Sequence, residues 1–423
     1  MKTNKTSLST MQQLGRLGLA LALMAIIVSG QASAAPVKVA DFVQAISVSA
    51  PAYGSDIQGN VTVTFKAPGM TQAKALCWQQ PTKDKPSPWG HDAEVAPDFK
   101  LDANGNGSFV FHADQFPNGP VTLRIYAIDN GNKQDYCEVQ LYNKGGVVWN
   151  LGIPKADPPA AKGLKLAFSD DFDGPLSISR DGRNARYEAH KTGGGDFSGW
   201  PFSDNTPGNN IFSQVGTFLR IHASKKPGTN GSTGIISSAH EDGGGLYVKA
   251  PLYMECRFIA QSAPGTWPAF WAVAKRVADR TTSQGPCDEL DIIEAYGGWG
   301  PKNPNSFAYR TATHFWAQPN PDWTQKYSLG AKIETMEVGG KSSWSTTFHT
   351  YGLLVTKTDT VYYFDDIEVN RHPSGELSKV EGFSFLINYA IGGISGWQID
   401  LERYGNASDM WVDYVRVYQG EKK

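Results

Sequence analysis

The sequence predicts an all-β protein, and three observations support this prediction. Glycine is abundant, with 45 residues, and aromatic residues make up 12% of the 423-residue chain. Segments 61–65 and 121–127 alternate side chains with the period of two that a half-buried strand requires. Turn-forming pairs such as Asn104-Gly105 interrupt these segments, and long helical periods are scarce. We therefore expect β-sandwiches, in a chain long enough for one large and one small domain.

Residues 1–34 are expected to form a signal peptide that is not part of the fold. Lys2, Lys5 and Arg16 give a positive start, residues 17–28 form a short apolar run, and Ala32-Ser33-Ala34 matches a cleavage site. The apolar run is too short to anchor the chain in a bilayer. We therefore expect a secreted or periplasmic protein without a membrane anchor.

The charge balance excludes several partners. Cleavage after Ala34 would take the formal net charge from −2 to −5, because the removed segment is basic. A basic excess that would favour nucleic acid or a membrane surface is absent. The sequence has no His/Cys cluster with zinc spacing, no phosphate-binding loop after a strand and no Gly-x-Ser-x-Gly elbow. We therefore expect no catalytic cofactor.

Residues 35–151 form the first predicted domain, a small β-sandwich that is immunoglobulin-like by pattern alone. Trp78 and Trp89 either bind polysaccharide or lie in the core of a module that acts as a spacer. Residues 102–107 imitate the start of an EF-hand loop, but Ala113 stands where the loop needs a glutamate. We therefore expect a hairpin turn at this place.

The four cysteines allow two disulfides in an exported protein. Cys77 with Cys137 is the preferred pair, whereas Cys256 and Cys287 lie on predicted core strands and are expected to be disulfide-bonded or buried free thiols. Residues 152–163 contain three prolines and are expected to form an extended, semi-rigid linker.

The strongest functional signal lies in segment 287–294 of a chain that is only 19% charged. Glu289, Asp291 and Glu294 are separated by aliphatic residues. On a regular strand Glu289 and Asp291 share one face, whereas Glu294 falls on the other. A β-bulge at Ile292-Ile293 adds one residue and would return Glu294 to the face of the other two acids.

A row of three acids is costly as pure structure, because like charges crowd and each carboxylate loses solvation. The row suits glycoside hydrolysis, in which a retaining enzyme uses two carboxyl groups about 5–5.5 Å apart. The alternative is a solvated acidic face on an ordinary strand.

The segment Glu289-Leu290-Asp291-Ile292-Ile293-Glu294 resembles the bulged E-x-D-x-x-E signature of glycoside hydrolase family 16, which occurs in laminarinases, agarases and carrageenases. Four further segments resemble strands of that family in the right order, namely 166–174, 265–271, 348–352 and 410–418. The resemblance implies a jelly-roll β-sandwich for a catalytic domain at residues 164–420, with the substrate groove on its concave face.

The resemblance also implies roles for the acids. Glu289 would be the nucleophile, and Glu294 would be the general acid and later the base. Asp291 would tune Glu289 through a hydrogen bond or a shared proton. These roles require a higher pKa for Glu294 than for Glu289.

Several aromatic residues are candidates for substrate binding, because sugar rings stack their C–H faces on flat side chains. Trp267 and Trp271 share a face of the predicted neighbouring strand, and His314 and Trp316 share a face of the strand after the acids. The resemblance places a histidine such as His314 near the acids. The alternatives are core tryptophans and a structural histidine.

Other candidates depend on loops. Tyr296 and Trp299 follow the acids and could border a subsite, and Trp397 lies in a glycine-rich loop that could reach the cleft. Asn210 resembles part of an asparagine pair that reaches the cleft in laminarinases, but Ile211 replaces the acidic residue that usually follows.

The resemblance further implies one structural calcium ion, bound by Asp413 of the last strand. Calcium takes six to eight oxygen ligands, most of which would be backbone carbonyls or water here.

The expected function is that of a secreted, monomeric, retaining endo-glycosidase that hydrolyses a β-1,3-glucan of the laminarin type. Residues 266–271 beside the bulged signature favour laminarinases. The alternatives are a red-algal galactan hydrolase (agarase, porphyranase or carrageenase), transglycosylation through the same intermediate, and a non-catalytic carbohydrate-binding protein, which would typically lack one of the acids.

Overall fold

The structure is a computed structural model that describes residues 41–80, 83, 85, 90–149, 151–191, 195–278, 286–298, 303, 307–318, 324–339, 342–395 and 398–420. The expected signal peptide at residues 1–34 lies outside these residues. From Asp41 onward the chain forms one compact unit. Within the described ranges, no helix has the length and apolar character needed to cross a membrane.

The first part of the chain is built from nine strands of the described residues: β1 (Asp41–Phe42), β2 (Ser47–Ala50), β3 (Asp56–Ile57), β4 (Asn60–Lys66), β5 (Gln72–Gln79), β6 (His91–Lys100), β7 (Asn106–His112), β8 (Gly119–Ile128) and β9 (Lys133–Asn143). They make one sheet in the order β1-β9-β8-β5-β6, in which β3 also pairs with β9, and a smaller sheet in the order β2-β4-β7. We call this part the N-terminal module. Its two sheets fit the predicted small sandwich, and the immunoglobulin-like assignment stays a prediction.

The predicted turn at residues 102–107 is present, but it is not a hairpin, because β6 and β7 pair with other strands and belong to different sheets. The Asp102 carboxylate accepts the backbone N–H groups of Asn104 and Asn106, each at 2.8 Å. These hydrogen bonds close a local turn, as Asp does in many tight turns.

The rest of the chain adds β10 (Lys165–Asp170), β11 (Ile178–Ser179), β12 (Tyr187–Glu188), β13 (Phe212–Val215), β14 (Phe218–Ser224), β15 (Ile235–Ser237), β16 (Val248–Lys249), β17 (Leu252–Ala260), β18 (Thr266–Ala274), helix α1 (Lys275–Ala278), β19 (Cys287–Ala295), β20 (Ala308–Gln318), β21 (Thr324–Glu334), β22 (His349–Val355), β23 (Asp359–Phe364), β24 (Ile367–Pro373), β25 (Gly382–Ile391) and β26 (Ala407–Gln419). Short 3-10 turns cover Ala113–Gln115, Pro159–Ala161, Gly393–Ser395 and Glu402–Tyr404.

These strands form two large sheets that enclose a common core. The cleft sheet runs β11-β12-β15-β25-β18-β19-β20-β21, and β16 also pairs with β25. The back sheet runs β13-β14-β26-β17-β22-β23-β24, and β10 also pairs with β26. Buried side chains of both sheets, such as Ile293 and Val415, belong to one hydrophobic cluster. The predicted all-β jelly-roll sandwich is therefore confirmed.

Strand β19 contains the predicted bulge. Against β20, Asp291 pairs with Ala312 and Glu294 pairs with Arg310, so three steps along β19 match two steps along β20. Against β18, Ile292 has no paired residue, and the register shifts at the same place. Ile292 and Ile293 are both buried in the core, at 1% and 0% exposure. The two isoleucines thus fill the place of one residue, as a bulge requires.

The N-terminal module packs directly on the back sheet. Strands β8 and β9 are almost fully buried. The Trp411 indole of β26 donates a hydrogen bond to Gln140 of β9 at 2.9 Å, and Thr122 of β8 donates to the Ser345 carbonyl at 2.6 Å. Trp78 is 5% exposed and packs against Trp149 at 5.4 Å between ring centres. Trp78 therefore belongs to the core, whereas Trp89 lies outside the described residues.

The predicted linker lies along the last strand, β26. The Arg416 guanidinium donates hydrogen bonds to the carbonyls of Pro154 and Ala156, at 3.3 and 3.0 Å. The Tyr418 hydroxyl donates to Asp157 at 2.8 Å. These contacts fix the segment to the back sheet.

The preferred disulfide, Cys77 with Cys137, is wrong. All four cysteines are buried free thiols. Cys77 lies on β5 and Cys137 on β9, with β8 between them. Two interstrand spacings of about 4.8 Å put their Cα atoms beyond the roughly 7 Å that a disulfide can span.

The bulge predicts different effects for two single-residue deletions in β19. Deletion of Ile292 leaves Asp291 and Glu294 on the same face, because one core residue still separates them. Deletion of Leu290 makes Glu289 and Asp291 adjacent and drives one carboxylate into the core, at an additional cost of about 3–5 kcal/mol. Each deletion removes one aliphatic side chain that is at most 1% exposed, so the pair is matched.

The measurement is thermal unfolding by circular dichroism. We expect the Ile292 deletion to fold and unfold cooperatively, and the Leu290 deletion to melt at a markedly lower temperature or not fold. Equal melting temperatures, or the reverse order, would contradict the proposed role of the bulge.

Candidate active site

A cleft of about 600 Å³ lies on the face of the cleft sheet opposite the core. Its floor comes from four neighbouring strands, β25, β18, β19 and β20, and its walls come from residue 191, residues 195–197 and the loops around residues 296 and 394. Its main lining residues are Lys191, Phe197, Trp267, Ala269, Trp271, Glu289, Asp291, Glu294, Tyr296, His314, Trp316, Asn388 and Ile394. The three predicted acids and four predicted binding residues therefore meet at one place.

The Glu289 and Asp291 carboxylates are held by side chains of β20 that reach diagonally across the strand pair. In register, Cys287 faces Trp316 and Glu289 faces His314. The Trp316 indole Nε1 donates to Glu289 Oε2 at 3.1 Å, and His314 Nε2 lies 3.0 Å from Asp291 Oδ2. Both contacts join residues that are diagonal neighbours on one face of an antiparallel pair.

The His314 ring is fixed from three directions. Its Nε2 faces Asp291, and its Nδ1 lies 3.3 Å from the side-chain oxygen of Gln325 on β21. Its plane stacks on Trp316, with 5.6 Å between ring centres and an angle of 23°. The imidazole can therefore donate from both nitrogens, which suits its protonated form.

Glu294 lies at the other end of the row, beside aromatic side chains. The Tyr296 hydroxyl is 3.5 Å from Glu294 Oε1, at the outer limit of a hydrogen bond. The Tyr296 ring stacks on Trp267, with 5.7 Å between ring centres and an angle of 24°. Two flat side chains thus border the carboxyl group that is expected to be the general acid.

Trp267 and Trp271 flank the small residue Ala269 on β18. Ala269 pairs with Glu294 on one side and with Asn388 of β25 on the other. The two indoles are each 6% exposed, so only one edge or face reaches the cleft. The missing side-chain volume at Ala269 leaves space in front of Glu294 for a ligand.

Asn388 is a functional residue that sequence reasoning missed. It is fully buried, and its side-chain oxygen accepts the Trp271 indole N–H at 2.8 Å. Its amide N–H donates to the Trp267 carbonyl at 3.1 Å. Asn388 therefore orients the Trp271 indole and is tied to the backbone of Trp267. The one available signal was an amide in the apolar run of β25, because a buried polar group needs partners.

Burial raises the pKa of both outer acids, and the charge of Asp291 raises it further. The pKa of Glu289 is about 7, because the charges of His314 and Lys191 and the Trp316 hydrogen bond partly offset these effects. The pKa of Glu294 is about 8, since the charge of Glu289 adds to burial and Asp291. The two carboxyl groups titrate together, with the higher affinity for a proton at Glu294.

His314 supplies the positive charge that the row of acids requires. Burial lowers the pKa of His314, but the hydrogen bond and charge of Asp291 outweigh burial and raise it to about 9. The imidazole is therefore protonated at neutral pH and forms an ion pair with Asp291. Lys191 is a second cation that the sequence did not indicate. Burial lowers the pKa of Lys191, while the charges of Glu289 and Asp196 act to raise it.

The cleft continues into a second compartment of about 370 Å³ next to Lys191. This compartment offers both hydrogen-bond donors and acceptors, which suits hydroxyl groups that can do both. Its polar lining residues include Arg180, Glu188, His190, Lys191, Asp196 and Glu241.

Three of the predicted binding residues are not among those that line the described part of the cleft. Asn210 is exposed on the turn before β13 and is absent from the cleft lining. Its neighbour Asn209 is tied to Ser232 by a 3.0 Å hydrogen bond, which holds this turn against the β14–β15 connection. A contact between Asn210 and substrate stays a prediction. Trp299 and Trp397 lie outside the described residues.

The surroundings of Asp413 do not fit a calcium ion. Asp413 is fully buried, accepts the Gly152 N–H at 2.9 Å and lies 3.3 Å from an Arg257 nitrogen. The Arg257 guanidinium already supplies the positive charge that a calcium ion would bring. Structural calcium at Asp413 stays a prediction, and the geometry favours the arginine ion pair.

A metal ion is also disfavoured at the acids. Ligand atoms of Glu289, Asp291 and His314 lie within 4.8 Å of one another. His314 Nε2 already faces Asp291 Oδ2 at 3.0 Å, so this nitrogen is used in the pair with Asp291 rather than for a metal ion.

The chain matches one protein family and is similar to several known proteins. Residues 217–415 match the family model described as glycosyl hydrolases family 16. An endo-1,3-1,4-beta-glycanase, EglC, from Rhizobium meliloti (strain 1021) is 27% identical over 277 residues, covering 60% of this chain and 52% of that protein. A beta-glucanase from Rhodothermus marinus is 27% identical over 175 residues, covering 39% of this chain and 56% of that protein. The chain thus spans only about half the length of these two curated relatives.

A solved laminarinase from Flavobacterium sp. UMI-01 is 23% identical, with a TM-score of 0.44, covering 60% of this chain and 100% of that one. The catalytic domain of an endo-1,3-beta-glucanase from Thermotoga petrophila RKU-1 is 18% identical, with a TM-score of 0.47, covering 61% of this chain and 99% of that one.

The ion pair predicts how His314 titrates. Because Asp291 raises the pKa of His314 to about 9 against the effect of burial, Asp291→Asn should lower that pKa below the ordinary value for histidine. NMR titration of the imidazole nitrogens measures both values. Asp365→Asn, which alters the carboxylate 2.6 Å from His349 on β22, is the matched control and should leave the His314 titration unchanged. An unchanged pKa of His314 in Asp291→Asn would contradict this account.

Proposed function

Residues 217–415 belong to glycosyl hydrolases family 16, and on this premise we propose that the chain is a retaining endo-β-glucanase that cuts internal β-1,3 links. The observation that carries the proposal is the row of Glu289, Asp291 and Glu294 in one cleft, with the higher pKa at Glu294. A non-catalytic binding protein has no need for three crowded carboxyl groups whose charges oppose burial.

In the first step, a Glu289 carboxylate oxygen attacks the anomeric carbon and forms a covalent glycosyl-enzyme. The bond between that carbon and the glycosidic oxygen breaks, and Glu294 gives its proton to the leaving oxygen. Glu289 must be ionised for this step and Glu294 must be protonated. The charges of His314 and Lys191 favour the ionised form of Glu289, and burial beside two acids favours the protonated form of Glu294.

In the second step, the Glu294 carboxylate takes a proton from water, and the water oxygen attacks the same carbon. The bond to Glu289 breaks, and Glu289 leaves as a carboxylate. Two displacements at one carbon retain its configuration. The contact with His314 holds Asp291 in place beside Glu289 through both steps.

The shape of the cleft supports a chain-like substrate. Trp267, Trp271 and Trp316 offer aromatic surface to the C–H faces of sugar rings. The compartment beyond Lys191 gives room for sugar units distant from the acids, which supports cleavage within a chain. The two relatives named above are an endo-1,3-1,4-beta-glycanase and a beta-glucanase, and this supports a β-glucan over a galactan. We further propose an exported protein, based on the signal peptide expected from residues 1–34, and the monomeric state stays a prediction.

The first test compares substrates. Purified protein is incubated with laminarin, mixed-linkage glucan, agarose, porphyran and carrageenan, and new reducing ends are measured. We expect hydrolysis of laminarin, abolished in Glu289→Gln and reduced on the order of 10²–10⁴-fold in Glu294→Gln, which removes the general acid. Glu368→Gln, an exposed change on β24 of the back sheet, is the matched control and should keep full activity.

The outcomes of this comparison test the substrate, the nucleophile and the enzymatic activity separately. Activity only on a galactan would be consistent with the proposed mechanism but would contradict the proposed β-glucan substrate. Full activity in Glu289→Gln would contradict the assignment of Glu289 as the nucleophile. Binding of laminarin without any turnover by the native protein would contradict the proposal that the protein is an enzyme.

The pKa values predict a bell-shaped pH dependence of kcat/KM. Activity should fall as pH drops below about 7, because Glu289 takes up a proton, and fall above about 8, because Glu294 loses its proton. The Trp316 hydrogen bond lowers the pKa of Glu289, so Trp316→Phe should move the acidic limb to higher pH and leave the alkaline limb in place. A shift of the acidic limb to lower pH would contradict the role of this indole.

A further inference from the structure

One wall of the cleft is a connection between the two sheets that reaches the N-terminal module. We call residues 392–395 and 398–404 the wall segment. It begins after β25 of the cleft sheet and ends before β26 of the back sheet. Ile394, near its start, is 80% exposed and lines the cleft. Tyr404, at its end, is 3% exposed and buried against the module.

The front of the wall segment is tied to the cleft by backbone hydrogen bonds. The Gly392 N–H donates to the Gly265 carbonyl at 2.7 Å, and the Asp400 N–H donates to the Pro264 carbonyl at 2.9 Å. Gly265 directly precedes β18, which carries the two cleft tryptophans. A movement of the wall segment would therefore also displace the start of β18, which is part of the cleft floor.

The base of the wall segment is held by the module through Arg403. Its Nη1 lies 2.6 Å from Asp135 Oδ2 of β9, and its Nη2 donates to the Tyr136 carbonyl at 3.1 Å. Asp135 also accepts the Ile46 N–H at 2.8 Å, so the carboxylate is fixed within the module. The Arg403 side chain is 12% exposed, and this burial strengthens a paired, hydrogen-bonded charge relative to an exposed one.

Tyr404 adds a second attachment beside the first. Its hydroxyl lies 3.8 Å from the Cys137 sulfur, and its ring packs edge-on against Tyr53 of the module at 6.4 Å between centres. The module thus contacts two consecutive residues, Arg403 and Tyr404, at the base of the wall segment.

We propose that Arg403 is a positioning residue through which the N-terminal module sets the shape of the catalytic cleft. The module then acts on substrate binding without touching the substrate, which gives it a role that is neither spacer nor separate carbohydrate-binding module. The kinetic part of this inference rests on the proposed glucanase function.

A second ion pair between the same parts of the molecule offers a matched control. Arg220 of β14 pairs with the buried Asp409 of β26 at 2.7 Å, and Tyr53 of the module donates to Asp409 at 3.1 Å. Like Arg403, Arg220 is a partly buried arginine at the boundary with the module. Arg220 lies outside the wall segment, and its loss leaves the Arg403 contacts with Asp135 and Tyr136 in place, so Arg220→Ala should destabilise the fold while Arg403 still holds the wall segment.

The test compares Arg403→Ala, Arg403→Lys and Arg220→Ala in the full chain. Steady-state kinetics on laminarin gives KM and kcat, and hydrogen exchange followed by mass spectrometry gives the protection of the amides in peptides that cover residues 398–404. We expect both alanine variants to lower the melting temperature. Only Arg403→Ala should raise KM, by about tenfold with kcat nearly unchanged, because the misplaced wall weakens substrate positioning.

Only Arg403→Ala should also speed exchange in the wall segment, and Arg403→Lys should restore part of the protection because lysine can still pair with Asp135. Equal changes in Arg403→Ala and Arg220→Ala, in KM or in exchange, would overturn the proposal and leave a purely structural interface. The exchange result is independent of activity. A native protein inactive on laminarin would therefore overturn the glucanase function and still leave this inference decided by exchange.

Discussion

The constraint on which the site depends is that three carboxyl groups must lie on one face of a strand whose other face is core. The bulge at Ile292-Ile293 meets this constraint, because two buried isoleucines fill the place of one residue and Glu294 returns to the face of Glu289 and Asp291. The same arrangement brings the acids beside the aromatic and cationic side chains of the neighbouring strands. Fold and chemistry are therefore linked through one local irregularity, as at many β-bulges next to functional sites.

The electrostatics of the row follow from burial and charge pairing. Three carboxylates in a half-buried cleft would repel one another. The imidazolium group of His314 and the ammonium group of Lys191 offset this repulsion. His314 pairs with the central acid, Asp291, and thereby leaves the outer acids free to act as nucleophile and acid. The difference between these two arises from position, because Glu289 lies near Lys191 and the Trp316 indole, whereas Glu294 lies among aromatic rings. Two different surroundings within one cleft thus give two glutamates different roles.

The sequence was sufficient for features that depend on local spacing and insufficient for those that depend on sheet order. The spacing of Glu289, Asp291 and Glu294 predicts the bulge, because strand alternation leaves few other solutions. The pairing of Cys77 with Cys137 failed because β8 lies between their strands, which no local pattern indicates. Asn388 was missed because its partners lie 117 and 121 residues away. Arg403 meets Asp135 across 268 residues, so only the packed structure reveals that contact.

The central claim is that Glu289 is the residue that bonds covalently to the substrate. The most direct measurement traps the intermediate with a 2-fluoro-substituted glucoside bearing a good leaving group, digests the protein and maps the labelled residue by mass spectrometry. We expect one label per chain, on Glu289, and none in Glu289→Gln. A label on Asp291 or Glu294, or the absence of any label in a protein that hydrolyses the substrate, would contradict the account.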